Sequence, residues 1–320
     1  MSPEPAPDAD IDGRDWVDVV VPTNRVSRFL PPALASVRGQ SYAQWRLLLV
    51  DDGSGEPSEL ERLAGEVPRS RVLHQGASGV SAARNAAIRA GTGEFVAFLD
   101  DDDVWPRERL DELVAVLTAH PEAAGAYGDG RYIDGDGRVF GKWTTTPSTQ
   151  EVFLSGASPI PRITALLVRR SALERVGLFD ERLAYSEDDE LILRLLRHAP
   201  LVSSATIVVD YRRHDRNATL ADWRVRHRSA RAAVTANIDA ARGLGRDDQV
   251  ELLRRNLRRL DASTAASSTG RVIGELKARR FGPAVRDVWD SVRIAPLGFL
   301  RGAVRTISAR LRSRLRRHRA

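Results

Sequence analysis

The chain has 320 residues, 42% of them hydrophobic and 29% charged, with 24 glycines and 16 prolines, a globular composition that excludes collagenous, low-complexity or wholly disordered protein. It contains no cysteine, so disulfide frameworks, zinc–thiolate sites, iron–sulfur clusters and thiol catalysis are excluded too. The net charge of +6 hides a division: residues 1–220 hold 25 Lys and Arg against 34 Asp and Glu, whereas residues 221–320 hold 24 against 9, so the two parts are expected to do different work.

Residues 1–15, Pro-rich and acidic, lack the basic start and apolar run of a secretory signal and read as a disordered leader. No apolar stretch approaches the ~20 residues of a membrane span, which places the expected protein in the cytoplasm. From residue 16 to residue 220, short β-branched runs alternate with helical patterns, the signature of an α/β domain with a mainly parallel sheet flanked by helices. WVDVVVPT is the first strand, with a helix over 28–39. RLLLVDDGS is the second, followed by a helical stretch near 57–65, a short strand RVLHQ and the Ala-rich helix SAARNAAIRAG. EFVAFLDDDD runs into four aspartates, and Pro106 opens the next helix. AAGAYGD and GRVFG read as short strands and TTTPSTQ as a loop. ITALLVRRSALERVG reads as strand and helix, SEDDELILRLLRHAP as helix and ATIVVDYRRH as the last strand.

Residues 221–320 turn Arg- and Ala-rich and helical, with breaks expected at Gly243–Gly245 and in DASTAASSTG, residues 261–270. At the end, Leu300, Val304, Ile307, Leu311 and Leu315 recur at helical spacing among arginines, a basic amphipathic helix.

Three acidic clusters carry the chemistry. Asp51-Asp52-Gly53-Ser54 ends a buried strand, where open α/β sheets place their ligand crevice; two carboxylates there suit a nucleobase N–H or ribose hydroxyl, and a turn with a helix cap suits the same residues. Asp100–Asp103 end the next strand, and four adjacent carboxylates repel one another unless a cation or donors compensate. An oxygen-ligated Mg²⁺ or Mn²⁺ answers that need better than a solvated cap does. Glu187-Asp188-Asp189-Glu190 opens a helix, where the dipole favours acids, and equally offers a general base. His214, after the last strand, is by itself either structural or a metal ligand.

The order VVVPT, VDDGS, GVSAARNAAI, FVAFLDDDDVW, RRSALERVGLFDE, SEDDELILRL and YRRH resembles family 2 glycosyltransferases of the GT-A fold over about residues 16–220. The resemblance implies a nucleotide pocket formed by Thr23, Asp51 and Asp52, with Arg84 and Asn85 flanking the nucleotide. It implies Asp100 and Asp102 as the DXD pair meeting ribose, diphosphate and Mn²⁺ or Mg²⁺, with His214 joining the metal, and Asp188 as catalytic base. The implied reaction is metal-dependent and inverting. It transfers a hexose from a UDP-, dTDP- or GDP-sugar to a glycan or lipid-linked acceptor hydroxyl in surface polysaccharide or glycolipid synthesis. Two departures stand out: Asn24-Arg25 follow Thr23 where many relatives have an aromatic, and segment 142–163 matches no specific subfamily. Trp143 is placed either on a sugar or in the core, and Trp105 in the core.

The rival classes are a non-catalytic binding or assembly protein on the same fold, which intact acidic motifs argue against, and a sugar nucleotidyltransferase, which would carry a Gly-rich loop after the first strand that VVVPTNRVSRF lacks. The basic C-terminal region fits peripheral attachment to the anionic inner face of the cell membrane, with a solvated face or an oligomer contact as the plain alternative. No nucleic-acid motif is present.

Overall fold

A computed structural model describes residues 14–304, apart from residue 216 and residues 218–221. The chain divides into two compact units: everything up to Leu154 together with Ser158–Asp222, and Ser155–Ala157 together with the residues from Trp223 onward.

In the first unit, β1 (Val17–Thr23) and β2 (Trp45–Asp52) are buried along their whole length, as strands covered on both faces must be. They pair in parallel with Thr23 opposite Asp51. β3 (Ser70–Gln75) joins β2 and β4 (Phe95–Phe98) joins β1, both parallel. The residues that follow β1, β2 and β4 therefore emerge at one edge of the sheet, where such sheets bind ligands. The helices between them are α1 (Leu30–Arg38), α2 (Pro57–Gly65) and α3 (Val80–Ala90), with α4 (Arg109–Ala119) after β4.

Beyond β4 the pairing reverses. β5 (Gly125–Ile133) and β7 (Leu166–Arg169) are antiparallel, and β7 is antiparallel to β4, inserted between β4 and β5. β6 (Val139–Trp143) pairs with the later half of β5, while β8 (Leu201–Arg212) runs parallel along the other edge of β5. α5 (Gln150–Leu154) and α6 (Arg170–Val176) precede α7 (Glu187–Leu196), whose leucines 191, 195 and 196 are buried as its periodicity requires. Val19, Val21, Leu47, Leu49, Phe95 and Ala97 meet Leu110, Leu113 and Leu117 of α4 in the core, each of the valine, leucine and phenylalanine side chains contributing about 1.5–3 kcal/mol by its burial. Trp105 is in this core, as expected. Asp18, fully buried, is held by Arg46 at 2.5 Å and by Arg170, tying β1 to β2 and α6.

The second unit is helical: α8 (Trp223–Gly243), α9 (Asp247–Lys277), α10 (Phe281–Ile294) and a further helical segment over residues 296–304. The break at Gly243–Gly245 is present. The break expected at 261–270 is not, because α9 runs through it unbroken. Those small residues are a packing seam: Ala265, Ser268 and Thr269 are buried, and Gly298 and Gly302 lie against the backbone of Ala262 and Ala266. A Cβ at Gly298 would sit 2.7 Å from the Ala262 carbonyl, so only glycine permits the approach. The leader's first thirteen residues and residues 305–320 of the basic tail lie outside the described residues. Among the described residues, no helix is long and apolar enough to cross a membrane.

Candidate active site

The ends of β1, β2 and β4, with the first turns of α3 and α7, enclose a cavity of about 400 Å³ whose wall includes Thr23, Asp52, Arg84, Asp100, Asp102 and Glu187. That is within the usual range for small-molecule sites.

Asp52 works through the turn before α3. Its Oδ1 accepts from the Ser78 N–H at 2.7 Å and from Gln75 Nε2 at 2.8 Å, and its Oδ2 accepts from the Gly79 N–H at 2.9 Å. Gly79, with φ of +94°, takes a conformation that a side chain would resist. The carboxylate thus shapes the cavity wall. Asp51, next to it and on the other face of the strand, is not in that wall. Its Oδ1 accepts from the Ser54 N–H at 2.8 Å and its Oδ2 lies 3.0 Å from His74 Nδ1. Burial pushes Asp51 up, but the Ser54 and His74 hydrogen bonds outweigh it and hold it below the usual carboxylate value.

Arg84, buried on α3, joins two acidic clusters. Its Nη2 donates to Asp100 Oδ1 at 2.9 Å and its Nη1 to Glu187 Oε1 at 3.0 Å. Asn85, expected beside the nucleotide, points elsewhere: its amide donates to the Phe179 carbonyl and to Glu181 and accepts from the Phe179 N–H. These three hydrogen bonds position the chain ahead of α7.

The four-aspartate run splits into different jobs. Thr23 Oγ1 donates to Asp101 Oδ2 at 2.5 Å. Burial, with repulsion from Asp102 and Asp100, pushes Asp101 up to about 6 against that hydrogen bond. Asp102 Oδ2 lies 2.8 Å from His214 Nε2, and burial and Asp100 raise its pKa against the pull of that histidine. Asp103 is fully buried. Its Oδ1 accepts from the Arg212 N–H at 2.8 Å, while its Oδ2 has no hydrogen-bond partner among the described residues, and burial pushes the carboxyl well above its ordinary value.

Oxygens of Asp100, Asp102 and Asp103 come within 4.8 Å of one another. An all-oxygen, mutually repelling set with one orphaned buried oxygen fits a hard divalent cation. The set expected from the sequence was Asp100, Asp102 and His214. The carboxylate cluster also contains Asp103, and the His214 ring, stacked on Phe29 with centroids 4.8 Å apart, brings Nε2 to 2.8 Å from Asp102 Oδ2 at its edge.

At α7 the N-cap Ser186 has φ of +58°, left-handed backbone that is uncommon without glycine and aims the acidic first turn. Glu187 lines the cavity, and burial and Asp188 raise it against Arg84. Asp188 adjoins Glu187 without being part of the wall, and its Oδ1 accepts from the Asp189 N–H at 2.9 Å. Half-buried Asp189 is pushed up to about 8 by desolvation, then by Asp188 and Glu187.

The sequence points to the whole Asp100–Asp103 run as a cation site without dividing the work of Asp101 and Asp103, and it does not single out Arg212. Arg212, whose Nε donates to the Asp102 carbonyl at 2.8 Å, gave no signal beyond its place in YRRH. Trp143 packs on Tyr132 and Tyr211, with Arg162 over its ring.

Comparison with known proteins places this geometry. The pre-mycofactocin glycosyltransferase of Mycobacterium tuberculosis is 31% identical over 233 residues, covering 68% of this chain and 46% of that protein. The Escherichia coli UDP-Glc:alpha-D-GlcNAc-diphosphoundecaprenol beta-1,3-glucosyltransferase WfgD is 31% identical over 102 residues, 32% of this chain and 40% of that one. The chain spans between 23% and 54% of the length of the first such relatives. Among solved structures, that of S. aureus TarS in complex with UDP-GlcNAc superposes with a TM-score of 0.57 at 17% identity, covering 87% of this chain and 91% of that one, which establishes a shared GT-A fold. The model of glycosyl transferase family 2 matches residues 18–177, from the first strand past the four aspartates to the end of α6. By fold, by relatives and by that match, the chain belongs to glycosyl transferase family 2.

Proposed function

We propose that the protein is an inverting glycosyltransferase that moves a sugar from a nucleotide diphosphate to an acceptor hydroxyl. The observation that carries this reading is the meeting, across one 400 Å³ cavity, of the Asp100–Asp102 carboxylates with the acidic first turn of α7. UDP-GlcNAc bound to TarS and the UDP-Glc donor in the name of WfgD support a nucleotide-sugar donor. The diphosphoundecaprenol in the name of WfgD supports a lipid-linked glycan as acceptor.

In this reading the nucleoside end of the donor lies against Thr23 and the turn that Asp52 holds, and the sugar lies toward α7. Asp188 takes the proton from the acceptor hydroxyl as its oxygen attacks the anomeric carbon. The bond from that carbon to the diphosphate oxygen breaks, its electron pair leaves on the nucleoside diphosphate, and the configuration inverts. Asp100, Asp102 and Asp103 would hold Mn²⁺ or Mg²⁺, which when bound offsets the charge gathering on the leaving diphosphate. Glu187 and Arg84 keep the two acidic clusters in register.

The test is nucleoside diphosphate release from a panel of UDP-, dTDP- and GDP-sugars with Mn²⁺, Mg²⁺ or EDTA, comparing the wild type with Asp102→Asn and Asp188→Asn. The expected result is slow metal-dependent release from one donor that both substitutions depress. Release of pyrophosphate, or no release together with no nucleotide-induced thermal stabilisation, would overturn the reading.

A further inference from the structure

On the outer face of α10, Phe281, Val285, Trp289 and Val292 follow one another at steps of four, four and three, so they share one face of the helix. They are 64%, 69%, 62% and 39% exposed. Leu297, Leu300 and Val304 of the next helical segment are exposed as well. Single exposed apolar residues need no explanation, but a contiguous stripe of large ones marks a contact surface. The helix is inverted relative to an ordinary surface helix, for its buried face holds Asp287 and Ser291.

Charge selects the occupant. Both carboxylates of α10, Asp287 and Asp290, pair with Arg224 of α8. The exposed charged residues from 281 to 304 are Arg286, Arg293 and Arg301, all cationic. Arg293 lies 5.9 Å over the Trp289 ring and also lines a cavity of about 700 Å³ shared with Arg228. A second copy offering the same face would set arginine against arginine, whereas an anionic surface meets every charge on it. Residues 305–320 add seven arginines and no acidic side chain to this end of the sequence.

We propose that α10 and the segment over residues 296–304 form a docking face for an anionic lipid bilayer. The apolar stripe enters the boundary between headgroups and acyl chains, about 5–10 Å deep. Trp289 has the apolar body and polar edge that suit that layer, and Arg286, Arg293 and Arg228 meet lipid phosphates. The inference stands apart from the transferase chemistry above, since all of its residues belong to the second unit.

The experiment is co-sedimentation of the full-length protein with vesicles of phosphatidylcholine alone and of phosphatidylcholine mixed with phosphatidylglycerol, at low and high salt. The wild type is expected to bind the mixed vesicles, and less so as salt screens the contact. The double variant Val285→Glu/Trp289→Glu is expected to lower partitioning at least about tenfold. Arg286→Gln/Arg293→Gln is expected to lower it about fivefold per arginine. Both pairs are exposed, so unchanged melting temperatures will certify the fold. Equal binding to uncharged vesicles, or binding by the Val285→Glu/Trp289→Glu variant equal to wild type, overturns the proposal, the latter by leaving the arginine tail alone responsible. Conversion of a dimer to a monomer by Trp289→Glu with vesicle binding intact overturns it in favour of a contact between copies.

Discussion

Arg84 Nη1 lies 3.0 Å from Glu187 Oε1, a bond that joins the helix after β3 to the first turn of α7 across 103 residues of chain. The same guanidinium holds Asp100. Arg84→Met keeps the bulk and removes the charge, stranding two carboxylates in the cavity wall. Breaking a buried pair in this way is expected to cost about 3 kcal/mol, read by urea denaturation, and to abolish donor turnover.

Glu187 and Asp188 are adjacent but differently placed, one in the cavity wall on Arg84 and the other beside it. Asp188→Asn is expected to lower kcat by about 10²- to 10⁴-fold with little change in donor KM, as loss of a general base does. Glu187→Gln is expected to raise donor KM while sparing more of kcat, because it loosens Arg84 without removing the base. Steady-state kinetics on the donor identified by the release assay separates the two.

Asp103 is a cost in the absence of a cation, since its orphaned Oδ2 is desolvated beside two further carboxylates. A carboxyl whose folded pKa is raised binds its proton more tightly when folded, so its effect on stability worsens as pH rises above the unfolded value. Asp103→Asn is therefore expected to melt higher than wild type at neutral pH without metal, and to lose the stabilisation that Mn²⁺ gives the wild type. A saturating metal at about 100 times its dissociation constant would add about 2.7 kcal/mol to the native state, and differential scanning fluorimetry with and without EDTA will show it.

His74 and Asp51 give a separate pH signature away from the cavity. Hydrogen bonds to Glu61 and Asp51 raise His74 above its ordinary 6.5, so its contribution is complete below 6.5 and lost as pH climbs through the raised value. Asp51, held below 3.8, contributes above that value and loses its contribution as pH falls. The pair stabilises most between about pH 4 and 6.5. Melting curves of wild type and His74→Gln are expected to differ most in that window and to converge as pH climbs through the raised value of His74.

The seam beneath α9 makes a packing prediction. Gly298→Ala is expected to destabilise the helical unit by about 1–3 kcal/mol, because the added Cβ would sit 2.7 Å from the Ala262 carbonyl oxygen. Proteolytic cutting between α9 and α10 should appear earlier in the variant than in the wild type.

The strands that end in Asp51-Asp52 and Asp100–Asp103 were legible because apolar runs closing on carboxylates announce both a buried strand and its functional edge. What pattern could not show was pairing across the fold. β7 sits antiparallel between β4 and β5, yet nothing in LLVR states its direction. Asn85 stands one residue after Arg84, and only the loop that reaches Phe179 decides which of them faces the cavity. His214 was legible as a candidate metal ligand, but its seat beside Asp102 and against the ring of Phe29 was not. The Ala-Ser-Thr stretch at 261–270 has the composition of a break, and small residues are also what a close helix crossing demands.

Asp103 waits for Arg212, which follows it by 109 residues, and Asp102 waits for His214, which follows by 112. On a ribosome adding about 5–20 residues per second, the four carboxylates emerge about 5 to 20 seconds before these partners exist. The half of the chain that carries the family's own motif must therefore pass through synthesis with its most repulsive segment uncompensated. It stays open until β8 is delivered, so a chain truncated ahead of Arg212 is expected to be a client for chaperones and proteases rather than a smaller enzyme.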